Sequence, residues 1–244
     1  MTLQFQEDIH QYRWLEEPDT KLTSVSTLIG YYHEKFDREA ISKKTAKKRN
    51  VSQESLLAEW DSENKKSLER GSRYHKMRED KLLQKKNVFK HSESNGLKQA
   101  INITELKPGI YPELIVYHPE YNIVGTADYI EIFEDNTFIC RDWKTNKKLE
   151  FTGFPVYNPK THERSPKKMF PPISHIHDCN GQHYTLQLSA YCFCLEEAGY
   201  SCKGLTLEHV QFDEEDHIFV IEYPLNYLKK EVKNMFQHFK SKQK

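Results

Sequence analysis

The chain has 244 residues, of which 37% are hydrophobic and 30% charged, with 36 Lys and Arg against 36 Asp and Glu. That length suits one domain with elaborations or two small ones, and a net charge of zero excludes any case for nucleic acid from total charge alone. No apolar run of the ~18 residues that a membrane span needs is present and no signal peptide is recognisable. The five cysteines are odd in number and contain no C-x-x-C pair, so the expectation is a cytoplasmic chain with reduced thiols.

The distribution of charge says more than its sum. Lys and Arg crowd Arg38–Arg49, Lys160–Lys168 and Lys229–Lys244, whereas carboxylates crowd Glu113–Asp135 and Glu208–Asp216. A basic surface beside an acidic centre suits a metal-dependent phosphodiester enzyme, although each run alone also reads as a solvated helix face.

Leu3–Leu15 alternates loosely, carries several aromatics and reads as one or two short strands before the turn signal Pro18-Asp19. Thr23 or Ser24 caps a helix through Gly30 and beyond, with Val25, Leu28 and Ile29 on its apolar face. A basic helix covers Arg38–Arg49. Ser52–Lys86 has no proline and reads as one long helix, marked on one face by Leu56, Trp60, Ser67, Gly71 and Tyr74. A mid-helix glycine costs about 1 kcal/mol against alanine, so Gly71 implies a close approach to a sheet. Gly71, His75 and Glu79 follow at steps of four on one face. A ligating histidine and a half-exposed one with an ion-pair neighbour both fit that pattern. Asn87–Asn102 is polar and reads as loop or frayed helix.

Ile110–His118 reads as a strand carrying Pro112-Glu113. It leads to a hairpin, Ile123–Phe133 and Phe138–Trp143, turning at Glu134–Thr137. Alternation puts Val124, Thr126, Asp128, Ile130 and Ile132 on one face of the first strand, and Phe138, Cys140, Asp142 and Lys144 on one face of the second. Asp128 thus lies in an apolar row, where a carboxylate is costly unless paired. Two carboxylates and a lysine on adjacent strands suit a hard divalent cation, or an ordinary surface salt bridge. Phe151–Asn180 is a long segment rich in Pro, Lys and His with interleaved aromatics, either a nucleic-acid contact or a plain insertion. Gln182–Ala198 is a helix with the stripe Tyr184, Leu188, Tyr191 and Leu195, in which Gln187 and Tyr191 are one turn apart. Leu205–Phe212 and His217–Glu222 read as strands around an acidic turn, and Pro224 opens a last helix, Leu225–Phe239.

The series Gly71/His75, Glu113, Gly125/Asp128, Asp142-Trp143-Lys144 and Gln187/Tyr191 spans about half of the chain. In that order and on those elements it resembles the PD-(D/E)XK nuclease superfamily in its RecB-like branch, and the chain is similar in style to small phage-type exonucleases. The resemblance implies an α/β domain whose central mixed β-sheet is flanked by helices in a restriction-endonuclease-like core. That single domain would span 1–244, with a helical N-terminal elaboration at 22–90 and a basic insertion at 151–180.

The activity implied is a Mg²⁺- or Mn²⁺-dependent deoxyribonuclease, an exonuclease of DNA replication, recombination or repair. His75, Asp128 and Asp142 would be metal ligands, with the backbone carbonyl of Trp143. Lys144 would orient the attacking water, its pKa pushed down by the neighbouring cations. Glu113 matches an accessory acidic position for a second ion or a bridging water. Gln187 and Tyr191 match a motif that supports the site and the DNA strand. The partner implied is DNA, as a single strand or a duplex end, with any helicase, annealing or single-strand-binding protein separate. Lys160, Arg164, Lys167 and Lys168 are the candidate phosphate contacts in the insertion. Relatives with an iron–sulfur cluster place a cysteine upstream of the site. None precedes Cys140 here, so no cluster is expected. The alternatives are an inactive nucleic-acid-binding module of the same fold and an RNA-directed nuclease.

Overall fold

The computed structural model describes residues 2–6, 9, 11–213 and 217–243. Two short antiparallel strands open it, β1 (Leu3–Gln6) and β2 (Gln11–Trp14), with Leu3, Phe5 and Trp14 turned inward. After β3 (Thr23–Ser24) comes α1 (Val25–Gly30), where the Ser24 hydroxyl accepts the Thr27 N–H at 3.1 Å. Ser24 rather than Thr23 is therefore the cap, and the helix stops at Gly30.

Two more helices follow, α2 (Arg38–Arg49) and α3 (Gln53–Leu83), capped by Asp37 and Ser52. Ion pairs Arg38–Asp61 and Arg49–Glu59 clip them into a helical hairpin. The middle of α3, residues 61–69, is exposed all round. Its buried side chains lie towards the ends, Leu56 at one and Tyr74 and Leu82 at the other, and in the middle Glu63 pairs with Lys147. The helix thus touches the body lightly along its middle and packs down at the residues that carry Gly71 and His75.

The polar stretch 87–102 differs from the expected loop or frayed helix. It folds as a hairpin, β4 (Ser92–Ser94) and β5 (Leu97–Gln99), turning at Asn95-Gly96 with φ of 52° and 73°. Asn-Gly supplies the positive φ that a two-residue hairpin turn needs, and this outweighs the polar composition. β5 pairs with β1, giving a small sheet of order β2-β1-β5-β4.

The central sheet is built from β6 (Gly109–His118), β7 (Ile123–Ile132) and β8 (Thr137–Lys144), then β11 and β12 after two intervening elements. The first of these is a hairpin, β9 (Pro155–Asn158) with β10 (Glu163–Pro166), so the segment expected to be a long loop carries its own strands. The second is α4 (Asn180–Glu197). β11 (Ser201–Phe212) runs parallel to β8, and β12 (Ile218–Leu225) closes the edge antiparallel to β11. The sheet is therefore mixed, of order β12-β11-β8-β7-β3, with β6 also on β7. Residues 214–216, in the acidic turn before β12, lie outside the described residues.

Pro224 does not open the last helix. It sits in edge strand β12 opposite Thr206, where a missing N–H is tolerated. Helix α5 (Lys229–Lys242) starts later and buries Val232, Met235 and Phe236. Helices α1, α4 and α5 share the main core with Ile130, Phe138 and Cys140, on one face of the sheet. The C-terminal half of α3 covers the other face through Tyr74 and Leu82 against Tyr129, Trp143 and Val210. The result is an α/β fold with helices on both faces of a mixed sheet. Among the described residues no helix is long and apolar enough to cross a membrane.

Candidate metal centre

The site begins with a fork in the sheet. β6 takes one edge of β7 along its length. The other edge is shared, β8 pairing with Tyr129–Ile132 and β3 with Ile123 and Val124. Between them β8 leaves β7, and the Asp128 side chain takes over the lost ladder: its Oδ2 accepts the Trp143 N–H at 2.7 Å. The carboxylate expected in an apolar row is 6% exposed and is partnered by backbone.

Opposite the fork, β6 is distorted at Glu113, which has φ of 50°. A non-glycine residue in the left-handed region costs on the order of 1–3 kcal/mol and persists only where its surroundings fix it. His91, which the sequence reading passed over, sits against this bulge. Its Nε2 lies 3.2 Å from the Glu113 carbonyl, while the N–H groups of Ile115 and Ile101 aim at its two ring nitrogens at 2.9 and 3.0 Å. Protonation would set N–H against N–H, and burial lowers the imidazolium pKa to about 4.

α3 brings His75 over this fork. Gly71, one turn earlier, makes the approach feasible, since a Cβ there would stand 3.1 Å from Thr145 Oγ1. His75 Nδ1 lies 3.5 Å from Asp128 Oδ1 and 3.7 Å from Glu113 Oε1. Its Nε2 donates to the Trp143 carbonyl at 3.1 Å. Donor atoms of His75, Glu113 and Asp128 thus fall within 4.8 Å of one another. The arrangement differs from the expected ligand set in two ways. Asp142 stands outside the cluster, paired with Lys144, and the Trp143 carbonyl meets the histidine ring instead of the cluster. A carbonyl on the far nitrogen is what fixes the tautomer of a ligating histidine.

Asp142 is 1% exposed, and Lys144 Nζ stands 2.6 Å from its Oδ2 in an ion-pair contact. No other donor among the described residues reaches either oxygen. A buried carboxylate served by a single cation is under-compensated, and a divalent ion at the neighbouring cluster would supply what is missing. Lys144 is also stacked over the Tyr184 ring at 5.0 Å.

The charges reinforce one another. Burial pulls the His75 imidazolium down, but its contact with Glu113 and the charges of Asp128, Glu113 and Asp142 outweigh this and raise it to about 9. Burial and then Asp142 push the Asp128 carboxyl well above its usual range. Burial would lower Lys144, yet Asp142 and Asp128 hold it above its ordinary value.

α4 closes the site from the core side. Gln187 Nε2 donates to the Tyr191 hydroxyl at 2.7 Å. Tyr191 lies directly on β7, where a Cβ at Gly125 would come within 2.6 Å of its ring. On the opposite face Arg78 stacks over Trp143 at 4.6 Å and bonds Glu208 at 2.7 Å. Glu208 is 2% exposed and also meets Arg141. This clamp was missed in the sequence, although Glu208, like Asp128, is an acid inside an apolar strand.

A groove of about 520 Å³ opens on the cluster, with Lys76, Glu79 and Lys98 on its walls beside His75, Glu113 and Lys144. A larger cavity of about 1020 Å³, between Tyr31, Phe170 and Phe239, has no carboxylate in its lining among the described residues. The basic insertion is rooted beside Lys144, since Asn180 at the start of α4 bonds Glu150 N and Lys148 O. Lys160, Arg164 and Lys168 are exposed. Lys167 is not comparable with them, because it is held 3.0 Å from both Glu34 and Asp178.

No family model matches the sequence, and no curated protein sequence matches it. Among solved structures the chain is similar to the crystal structure of SSO0001. Identity is 13%, over 93% of this chain and 78% of that one, with a TM-score of 0.36. A likeness of that degree carries nothing about activity.

Proposed function

We propose that the protein is a metal-dependent nuclease of the PD-(D/E)XK superfamily, RecB-like branch, with a restriction-endonuclease-like core, and that it hydrolyses DNA phosphodiester bonds from an end. One observation carries the reading. His75, Glu113 and Asp128 converge within 4.8 Å at the fork from which the Asp142–Lys144 pair emerges. Mg²⁺ or Mn²⁺ bound there would supply Lewis acidity toward the phosphoryl oxygens and an acidified water.

The chain's own groups do the rest. His75 presents Nδ1 to the cluster because the Trp143 carbonyl holds Nε2. Asp128 keeps Oδ1 free for the cluster because Trp143 N–H holds Oδ2. Lys144, kept protonated by Asp142 and Asp128, donates a hydrogen bond to the attacking water and offsets the charge that develops on phosphorus-bound oxygens. Gln187 and Tyr191 fix the floor beneath the carboxylates, and Lys76 and Lys98 face the groove where a phosphate backbone would run.

The test is cleavage of end-labelled single- and double-stranded DNA, and of RNA of the same sequence, with Mg²⁺ or Mn²⁺. Shortening of DNA from one end is expected. Wild-type protein that cleaves nothing and binds no Mn²⁺ at millimolar concentration with DNA present would overturn the reading and leave a binding module.

A further inference from the structure

A second cluster of donors lies outside the fork. His33, Asp178 and His183 place their ligand atoms within 4.8 Å of one another. His33 follows α1, and Asp178 and His183 bracket the start of α4. We propose that these three residues form a three-ligand site for a borderline divalent transition metal of the Zn²⁺ class, its fourth position left to water, which pins the returning limb of the insertion to α4 and to the loop after α1.

The donor set fits that class. Two imidazoles and one carboxylate suit Zn²⁺ and its neighbours rather than Mg²⁺. Ligands about 2.1 Å from one ion stand roughly 3.0–4.2 Å apart. His183 Nε2 and Asp178 Oδ1 are already 3.0 Å apart, and the His33 and His183 rings lie 4.3 Å from centroid to centroid. The two rings are stacked, 22° apart, so their in-plane lone pairs run side by side and the rings must turn toward each other to share one ion.

The outer partners are those of a metal site as well. His33 Nδ1 lies 3.1 Å from the Glu34 carbonyl, which leaves Nε2 with its lone pair. Lys167 holds Asp178 Oδ2 at 3.0 Å, leaving Oδ1 for the ion, and its second contact is Glu34. With Asp178 and Glu34 against Lys167, the neighbourhood carries one net negative charge before an ion enters. The segments are docked without it, since Phe170 N donates to the Tyr32 carbonyl at 2.6 Å and Asp178 N to the Lys167 carbonyl at 2.8 Å. An ion would lock a contact that exists, not create one.

The experiment uses full-length protein carrying Glu113→Gln and Asp128→Asn, which disable the cluster at the fork. Zn²⁺ is titrated against a chromophoric chelator, and Co²⁺ absorption reports coordination. One equivalent of Zn²⁺ is expected to remain, with thermal stability raised by Zn²⁺ and unchanged by Mg²⁺. Adding His33→Ala and His183→Ala should weaken binding more than about 100-fold, beyond the loss of an outer partner, while Lys167→Ala should cost about 10-fold. Melting in EDTA shows whether each variant folds. Should the fork-disabled protein take up no Zn²⁺ at micromolar concentration, or should His33→Ala with His183→Ala leave the stoichiometry unchanged, the proposal is wrong. Failure of the nuclease assay on wild-type protein would leave this result standing.

Discussion

Two clusters in this molecule use the same residue types and hold protons oppositely. At His75 the carboxylates of Glu113, Asp128 and Asp142 outweigh burial, and the ring is raised to about 9. At His183 the carboxylate in contact, alone among the described residues, is Asp178, which is shared with Lys167, and burial together with His33 pushes the ring down. Both histidines are partly buried, so burial does not separate them; the count of facing charges does. In the proposed reading the first cluster, rich in carboxylates, suits a hard cation, and the second, with two imidazoles, suits a softer one.

The largest effect should come from breaking the first cluster. Lys144→Ala removes a hydrogen-bond donor and a charge but no ligand, so cleavage should fall by roughly 10³-fold or more while Mn²⁺ binding persists or tightens. Asp128→Asn or Asp142→Asn should lower Mn²⁺ affinity along with the rate. Calorimetric titration beside the cleavage assay separates the two. Equal loss of Mn²⁺ binding in Lys144→Ala would mean that the lysine only holds Asp142 in place.

The first cluster is also held by packing. A Cβ at Gly125 would meet the Tyr191 ring at 2.6 Å, and Tyr191 is buried and bonded to Gln187. Gly125→Ala should therefore destabilise by about 1–3 kcal/mol, as overpacking does. Gly204→Ala, with nothing within 4 Å, should be near neutral. Denaturant unfolding of the pair checks this.

Much of this was legible in the sequence because each part has a local cause. Asp128 stood out as an acid in an apolar strand, and Gly71 as a glycine inside a helix. The faces of β7 and β8 follow from alternation, and the register Ile130↔Cys140 and Ile132↔Phe138 agrees with it. What was not legible is long-range. The fork depends on β3, distant in sequence, sharing an edge of β7 with β8. The bulge at Glu113 depends on His91 from another sheet's flank. The second cluster joins residues 33, 178 and 183, which no spacing connects. The β4–β5 hairpin is a different case: Asn95-Gly96 carries the turn signal locally, inside a stretch whose polar composition resembles a loop.

The pH dependence of stability sharpens the contrast. In chelator-treated protein His75 is raised from 6.5 to about 9, so its contribution is fully present below pH 6.5 and is lost as the pH rises through 9. His183 and His91 are depressed, so theirs is present above pH 6.5 and is lost as the pH falls, through about 4 for His91. For His91 alone this corresponds to roughly 3 kcal/mol. Thermal melts should show an alkaline decline that His75→Gln flattens. The acid decline should be only partly flattened by His183→Gln, because His91 remains. An alkaline arm unchanged in His75→Gln would mean that the fork carboxylates do not hold that proton.

The smallest effect concerns the insertion that joins the two clusters. Each phosphate neutralised contributes about 0.7–0.9 to the slope of log affinity against log salt. Lys160 and Arg164 are exposed and lie on the β9–β10 hairpin, so Lys160→Ala with Arg164→Ala should flatten that slope by roughly 1.5 if both meet phosphates. Lys167 is bound to Glu34 and Asp178, and its loss should leave the slope unchanged while weakening Zn²⁺ at the second cluster. Binding of a short labelled DNA at several salt concentrations reads both. A flat response to the double substitution would remove the hairpin from DNA contact and leave the insertion as the scaffold of the His33–Asp178–His183 cluster alone. A slope that changes with Lys167→Ala would mean that its ion pairs open when DNA arrives, so that the two clusters answer to the same ligand.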